Sequence, residues 1–209
     1  GALQDRRVRM SFNDGRNVLL LATEPYDLIT IELTSVWFAG AANLYSTEFY
    51  QLCRSRLRHD GVLQQWVQLH HIRQRELAVV LRTLRSAFEH VALFVSGGQG
   101  ILVASGRPLV ASRARLTELS NQPAIRETLG DLASLEQLIG RLMFSGDDLD
   151  RFVADSARDG GALLSNDENL YLEYATPKGN VMSYHKSYGA MVSTLSRYRT
   201  ADAYGRHLR

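Results

Sequence analysis

The chain has 209 residues, of which 45% are hydrophobic and 22% are charged, as in an ordinary globular protein. Its net charge of +2 is too small to indicate a nucleic-acid-binding protein. The single cysteine, Cys53, excludes an internal disulfide and a cysteine metal cluster, and the scattered histidines lack zinc-ligand spacing, so we expect no metal site.

Short apolar runs alternate with amphipathic stretches in the first half of the chain. Strands are predicted at residues 8–12, 26–31, 62–69, 91–95 and 101–105. Helices are predicted at residues 16–22, 47–58 and 73–88, with Ser46 or Thr47 capping the second. This alternation favours a parallel sheet, with residues 26–31 as a buried strand.

Glycine-rich residues 96–100 connect the last two of these predicted strands. A phosphate-binding loop would need a helix after the glycines, whereas residues 101–104 are strand-like. The segment therefore predicts a hairpin turn, which adds an antiparallel edge to the sheet.

The second half of the chain has mainly helical patterns. Helices are predicted at residues 134–144, 147–157 and 182–209. Between the last two, residues 165–174 read as a polar loop that runs into a short extended piece.

Two acidic residues follow predicted strands. Glu32 ends the apolar run 26–31, and ligands of open α/β sheets bind beyond the carboxyl ends of strands. A carboxylate there could take a proton from an attacking amine, or could be a solvated acid at a strand end. Asp14 could accept a hydrogen bond from an exocyclic amine with Gly15 allowing close approach, or could simply cap a helix.

Taken in order, four segments resemble the spermidine synthase family. They are Asn13-Asp14-Gly15-Arg16 and the segments 26–32, 44–50 and 60–66. A bacterial branch of the family, often fused to membrane segments, is closer still. Its motifs are similar to residues 32–37, Ala39-Gly40, Asn43-Leu44-Tyr45 and 166–177, so the resemblance covers about residues 6–180.

The resemblance implies an α/β fold with a Rossmann-like, S-adenosylmethionine-dependent methyltransferase-type sheet in the strand order 3-2-1-4-5-7-6. Residues 8–12 would be strand 3 and residues 26–31 strand 4, so the first two strands, which normally lie between them, are absent. We expect residues 8–12 to lack normal pairing within this chain. Residues 1–110 would form a partial transferase domain and residues 111–209 a mainly helical C-terminal extension.

The resemblance also implies transfer of an aminopropyl group from decarboxylated S-adenosylmethionine to a small-molecule amine. By position, Asp14 and Gly15 would contact adenine and Glu32 would be the catalytic carboxylate. Ser35, Tyr45 and Gln65 would lie near the amine. Ser35 replaces the family's second acid, which weakens recognition of a cationic diamine.

The family's glycine-rich cofactor loop precedes the position of Asp14, and this sequence does not contain it. We therefore expect a truncated chain that is inactive alone and holds no cofactor firmly. Alternatives are a methyltransferase that uses S-adenosylmethionine and a non-catalytic binding module of the same fold. We expect a soluble, cytoplasmic chain, with a homodimer and an inner-membrane anchor of the full-length protein as open alternatives.

Overall fold

The computed structural model describes residues 2–32, 36, 40–157, 163–176 and 183–209, which form a mixed α/β structure. One five-stranded sheet has the spatial order β1-β2-β4-β3-β5. Its strands are β1 (Tyr26–Ile31), β2 (Leu57–Gln68), β3 (His90–Ser96), β4 (Gln99–Ser105) and β5 (Leu142–Ser145). The predicted α/β class is confirmed.

The α-helices in the described ranges are mostly short. They are α1 (Gly15–Leu21), α2 (Thr47–Arg56), α3 (Gln74–Ala87), α4 (Arg113–Ser120), α5 (Pro123–Leu129), α6 (Leu135–Ile139), α7 (Gly146–Ser156), α8 (Tyr171–Ala175) and α9 (Tyr184–Ser196). Short 3₁₀ turns cover Ala2–Gln4, Ala41–Tyr45 and Gly205–His207. As predicted, Ser46 caps α2, because its Oγ accepts a hydrogen bond from the N–H of Phe49 at 3.2 Å.

Strand directions agree only in part with the sequence prediction. Strands β1 and β2 are parallel, and the β3–β4 hairpin is antiparallel as predicted. The β2–β4 and β3–β5 pairs are also antiparallel, so the prediction of a mainly parallel sheet is wrong for the described residues. The order β1-β2-β4-β3 nevertheless matches strands 4-5-7-6 of the order that the resemblance implied.

Strand β1 lies at the edge of the sheet, and most of its side chains are exposed. The prediction that this strand is buried is therefore wrong, because no other strand in the described part of the chain covers its outer side. Residues 8–12 form no strand, and Phe12 is 94% exposed. The expectation that this segment lacks normal pairing is confirmed.

Strand β2 begins at Leu57, earlier than predicted. Residues His59-Asp60-Gly61, which the sequence places between the helix predicted over 47–58 and the strand predicted over 62–69, lie inside this strand, where the register against β1 shifts between Tyr26 and Leu28. A Cβ on Gly61 would be 3.0 Å from the carbonyl oxygen of Tyr26. The glycine therefore permits the close approach of two strands, whereas the expectation that this segment ends the preceding helix is wrong, because that helix already ends at Arg56.

Three predictions in the second half are corrected. The helix predicted over 134–144 ends at Ile139, and the apolar residues Leu142, Met143 and Phe144 instead enter the sheet as β5. The extended piece predicted near residue 174 is helix α8. The predicted C-terminal helix ends at Ser196, and the chain then turns so that Thr200 and Arg206 both reach the carboxylate of Asp148.

The main core lies between one face of the sheet and helices α2, α3 and α7. Its large, fully buried side chains include Tyr45, Phe49, Tyr50, Phe88, Phe144 and Phe152. A smaller cluster on the other side contains Ala92, Leu142 and Ala203. In the described residues, none of the helices combines the length and apolar character that a membrane span needs.

Candidate active site

A groove of about 510 Å³ runs along the outer edge of β1 to its carboxyl end. It touches side chains from both faces of the strand, including Leu28 and Ile29. Gly15 lines one wall, and Glu32 lies at the end where β1 leaves the sheet. The structure thus brings Glu32 and Gly15, two sequence-predicted site residues from different segments, to one cavity.

Asp14 is the N-cap of α1. One carboxylate oxygen accepts a hydrogen bond from the N–H of Asn17 at 2.9 Å, so the capping interpretation of Asp14 is correct. The residue is exposed, and a carboxylate oxygen can accept more than one hydrogen bond. Capping therefore holds the carboxylate without using up its acceptor capacity, and the groove is lined by the neighbouring Asn13 and Gly15 but not by Asp14 itself.

Gly15 is not required by the fold. A Cβ built on it meets no atom within 4 Å, and its φ is not in the left-handed region. Gly15 lines the groove. The absence of a side chain there leaves room for a ligand against the backbone.

The carboxylate of Glu32 is exposed, and its negative charge affects the pKa of the buried phenol of Tyr45. Burial, and then the negative charge of Glu32, raise the pKa of Tyr45 well above its usual value. The phenol therefore stays protonated, and it donates a hydrogen bond to the carbonyl oxygen of Trp66 at 2.8 Å.

Tyr45 and Gln65 are both fully buried and bonded within the protein. The Gln65 amide donates to the carbonyl oxygen of Leu44 at 2.9 Å and accepts from the hydroxyl of Tyr50 at 2.8 Å. Together with the Tyr45–Trp66 bond, these contacts fasten the 3₁₀ turn Ala41–Tyr45 to β2. Leu44, in that turn, lines the groove.

The sequence analysis missed Arg16 as a site neighbour. Its guanidinium makes a two-point contact with the carboxylate of Asp167, at 3.0 and 2.5 Å. This pairing with Arg16 lowers the pKa of Asp167. Both residues lie within segments that resemble the family, but the 150 positions between them hide the contact from local pattern analysis.

The segment containing α8 packs on the turn that precedes α2. The backbone N–H of Gly40 donates to the carboxylate of Glu173 at 3.3 Å, and Leu172 is fully buried. The N–H of Asp167 donates to the carboxylate of Glu48 at 3.1 Å. Residues 163–176 therefore support one wall of the groove from behind.

Ser35 lies outside the described residues. The neighbouring Val36 is buried, and the backbone N–H of Val36 donates a hydrogen bond to the amide oxygen of Gln68 at 3.2 Å. Gln68, at the end of β2, also donates to the carbonyl oxygen of His70 at 3.3 Å. This buried glutamine, which the sequence analysis did not select, holds the chain that continues from Glu32.

The remaining candidate features do not join this groove. Gly97 and Gly98 both have positive φ, at 58° and 87°, as the predicted hairpin turn requires. Cys53 is buried, and burial raises the pKa of its thiol to about 12. Within the described ranges, no three His, Cys, Asp or Glu residues are grouped so as to hold a metal ion.

The model of the spermine/spermidine synthase domain matches residues 1–97. Residues 1–97, a little under half of the chain, are therefore similar to this family. The matched region contains β1, the groove and the β3 strand, whereas the resemblance read from the sequence extended to residue 180.

Curated proteins similar to this chain are named polyamine aminopropyltransferases. Polyamine aminopropyltransferase 2 of Pseudomonas aeruginosa is 37% identical over 93 residues, which are 44% of this chain and 27% of that protein. The polyamine aminopropyltransferase of Nitrosomonas europaea is 34% identical over 88 residues, 42% of this chain and 27% of that protein. The chain thus matches about a quarter of the length of these polyamine aminopropyltransferases.

A solved structure is also similar. It is a probable spermidine synthase from Corynebacterium glutamicum ATCC 13032, with a TM-score of 0.47 and 24% sequence identity. The match covers 76% of this chain and 54% of that chain.

Proposed function

We propose that residues 1–97 supply part of an aminopropyltransferase site, with Glu32 as the base that activates the amine. The observation that supports this most directly is the shared groove, which has Glu32 at its end and Gly15 in its wall. The similarity of residues 1–97 to the spermine/spermidine synthase domain and the names of the curated relatives support the same reaction class.

Removal of a proton from the amine is the first step of the proposed reaction. An amine is mostly protonated near neutral pH and must lose a proton before its nitrogen can attack carbon. Glu32, exposed at the groove's end, would accept that proton. Decarboxylated S-adenosylmethionine would supply the aminopropyl group as an electrophile, and the new N–C bond would release methylthioadenosine.

The described residues fit the adenine part of such a donor. Apolar Val18, Leu19 and Ile29 line the groove beside the open space at Gly15. Asp14 would accept a hydrogen bond from the exocyclic amine of adenine. We propose Tyr45 and Gln65 as residues that position the wall at Leu44, with Ser35 near the amine.

Calorimetry with methylthioadenosine and with both forms of S-adenosylmethionine tests the donor site. Because the sequence contains no glycine-rich cofactor loop, we expect weak binding and no turnover by the 209-residue chain. A dissociation constant below about 1 μM would contradict that expectation. In an active full-length protein, Glu32→Gln should abolish turnover while leaving methylthioadenosine binding unchanged.

A methyltransferase is the second candidate function. The observation that favours it is Ser35, which stands where the family has a second acid that helps to hold a diamine. Product analysis with S-adenosylmethionine and its decarboxylated form separates methyl transfer from aminopropyl transfer. A non-catalytic module is the third candidate, and under it Glu32→Gln would change no activity.

We also propose that a second copy of the chain associates through the exposed edge of β1. Large apolar side chains are exposed on this edge and beside it, at Met10, Phe12, Leu20, Leu21 and Leu28. Sedimentation should show a dimer that Leu28→Lys weakens, and a monomer at all concentrations would contradict this.

A cytoplasmic location, and an inner-membrane anchor in a full-length protein, remain proposals that fractionation of cells would test.

A further inference from the structure

Ser145 and His207 form a hydrogen-bonded pair at the β5 edge of the sheet, and the groove lies at the opposite edge, along β1. Ser145 ends β5, and His207 lies in the last 3₁₀ turn. The Ser145 Oγ and the His207 Nε2 are 2.8 Å apart. The other ring nitrogen, Nδ1, is 2.6 Å from the carbonyl oxygen of Leu109.

The Leu109 contact fixes the tautomer of the imidazole. A carbonyl oxygen can only accept a hydrogen bond, so Nδ1 must carry a proton and donate it. In the neutral ring Nε2 is then the acceptor, and the Ser145 hydroxyl donates to it. Ser145 is thus a hydroxyl nucleophile that is hydrogen-bonded to a base, His207, and the carbonyl group of Leu109 orients that base. An activated serine has this arrangement.

The turn at Ser145 places its largely buried hydroxyl beside a helix N-terminus. Ser145 precedes α7, and Gly146 has a φ of 50°. Ser112 and Ser134 also precede helices, but their Oγ atoms accept from backbone N–H groups and cap those helices. Ser145 makes no such cap, which leaves the first N–H groups of α7 available for a developing oxyanion.

Two cavities meet at His207. One, of about 190 Å³, is lined by apolar residues that include Phe94, Leu109 and Leu142. The other, of about 270 Å³, is more polar and contains Ser145 and Arg206. The apolar cavity is smaller than the roughly 300–1,000 Å³ of drug-sized ligand sites, and so suits a short acyl group. The polar cavity would receive an alcohol.

We propose that Ser145 and His207 form an esterase site for short-chain acyl esters. The Ser145 Oγ attacks the ester carbonyl carbon while its proton passes to His207 Nε2. The C–O bond to the alcohol then breaks, and His207 returns the proton to the leaving alkoxide. Water, activated by His207, hydrolyses the acyl–serine bond, so that one ester and one water give one acid and one alcohol.

Hydrolysis of p-nitrophenyl butyrate and labelling with a fluorophosphonate test this proposal. We expect the probe to label Ser145 in the 209-residue chain, and Ser145→Ala to lower hydrolysis at least ~100-fold. Ser112→Ala, which removes a capping serine with no histidine partner, should leave hydrolysis unchanged. No labelling of Ser145, or equal labelling of Ser145 and Ser112, would overturn the proposal.

A cysteine scan separates activation by His207 from a loss of folding. In Ser145→Cys the thiol would face the same imidazole, whereas in Ser112→Cys it would not. We expect iodoacetamide to alkylate position 145 at least ~10-fold faster than position 112, and His207→Gln to remove that difference. The native Cys53 is buried and gives the background rate. Equal rates at the two positions would contradict the proposal.

Discussion

The two edges of the sheet differ in how the chain covers them. All four residues of β5 are buried, and residues near the C-terminus pack beside this strand. At the other edge, most of β1 is exposed and lines an open groove. The buried edge contributes to stability, whereas the exposed edge is where a ligand or another chain could bind.

Truncation of one apolar side chain at each edge should give the largest difference. Phe144→Ala removes a fully buried ring from β5 and should lower the free energy of unfolding by about 3–5 kcal/mol. Leu28→Ala, at a position 56% exposed, should change it by less than ~0.5 kcal/mol. Denaturant unfolding at concentrations that keep the chain monomeric measures both, and similar losses would contradict the assignment of β1 as the exposed edge.

The buried carboxylate of Asp148 gives the next largest effect. Burial opposes its charge, but hydrogen bonds from Arg151 and Thr200 and the charge of Arg206 lower its pKa. Because Asp148→Asn weakens these bonds, it should cost roughly 1–2 kcal/mol at neutral pH. Asp147→Asn changes an exposed carboxylate in the same turn and should cost almost nothing.

The Asp148 contribution should depend on pH. A lowered folded-state pKa stabilises the fold above the ordinary carboxyl pKa, and this stability disappears as the pH falls through the folded-state value. Thermal unfolding of the two proteins should therefore differ at neutral pH, and the difference should shrink as the pH falls below the ordinary carboxyl pKa of about 4. A difference that stays constant until both proteins unfold in acid would contradict the assignment.

Beside the groove, the Arg16–Asp167 ion pair should contribute less. Both side chains are partly exposed, so solvent screens the pair, and Asp167→Asn should cost less than ~1 kcal/mol. Its effect on unfolding should shrink as salt is raised. A loss that does not change with salt would contradict the assignment of a solvent-screened ion pair.

Gly15→Ala should have the smallest effect on stability and a clear effect on ligand binding. A Cβ at Gly15 meets no atom, so the substitution should raise the free energy of unfolding by at most about 1 kcal/mol. The same methyl group would occupy the groove and weaken nucleoside binding. Gly189→Ala, in α9 with an equally open Cβ position, is the control that should leave binding unchanged.

The sequence predicted most elements whose apolar pattern is local. Strand β1, helix α3 and the β3–β4 hairpin lie close to their predicted bounds. Strand β5 was missed because Leu142, Met143 and Phe144 continue an apolar helical pattern, and only pairing with β3 makes them a strand. The exposure of β1 was missed because its composition is that of a buried strand.

The candidate site was predicted only where single residues carry a family motif. Asp14, Gly15 and Glu32 were selected that way, and the groove brings Gly15 and Glu32 together. Arg16–Asp167 and Gln68–Val36 depend on contacts between distant segments, which no local pattern specifies. The Ser145–His207 pair joins residues 62 positions apart and is visible only in three dimensions.

The most direct test of the central claim is to map where methylthioadenosine binds. We expect amide resonances of Asp14, Gly15 and Glu32 to shift during a titration of the 15N-labelled chain, and Gly15→Ala to suppress those shifts. Resonances of β5 and of residues 203–209 should not move. Shifts confined to that buried edge, or no shifts at any concentration, would contradict a transferase site in the β1 groove.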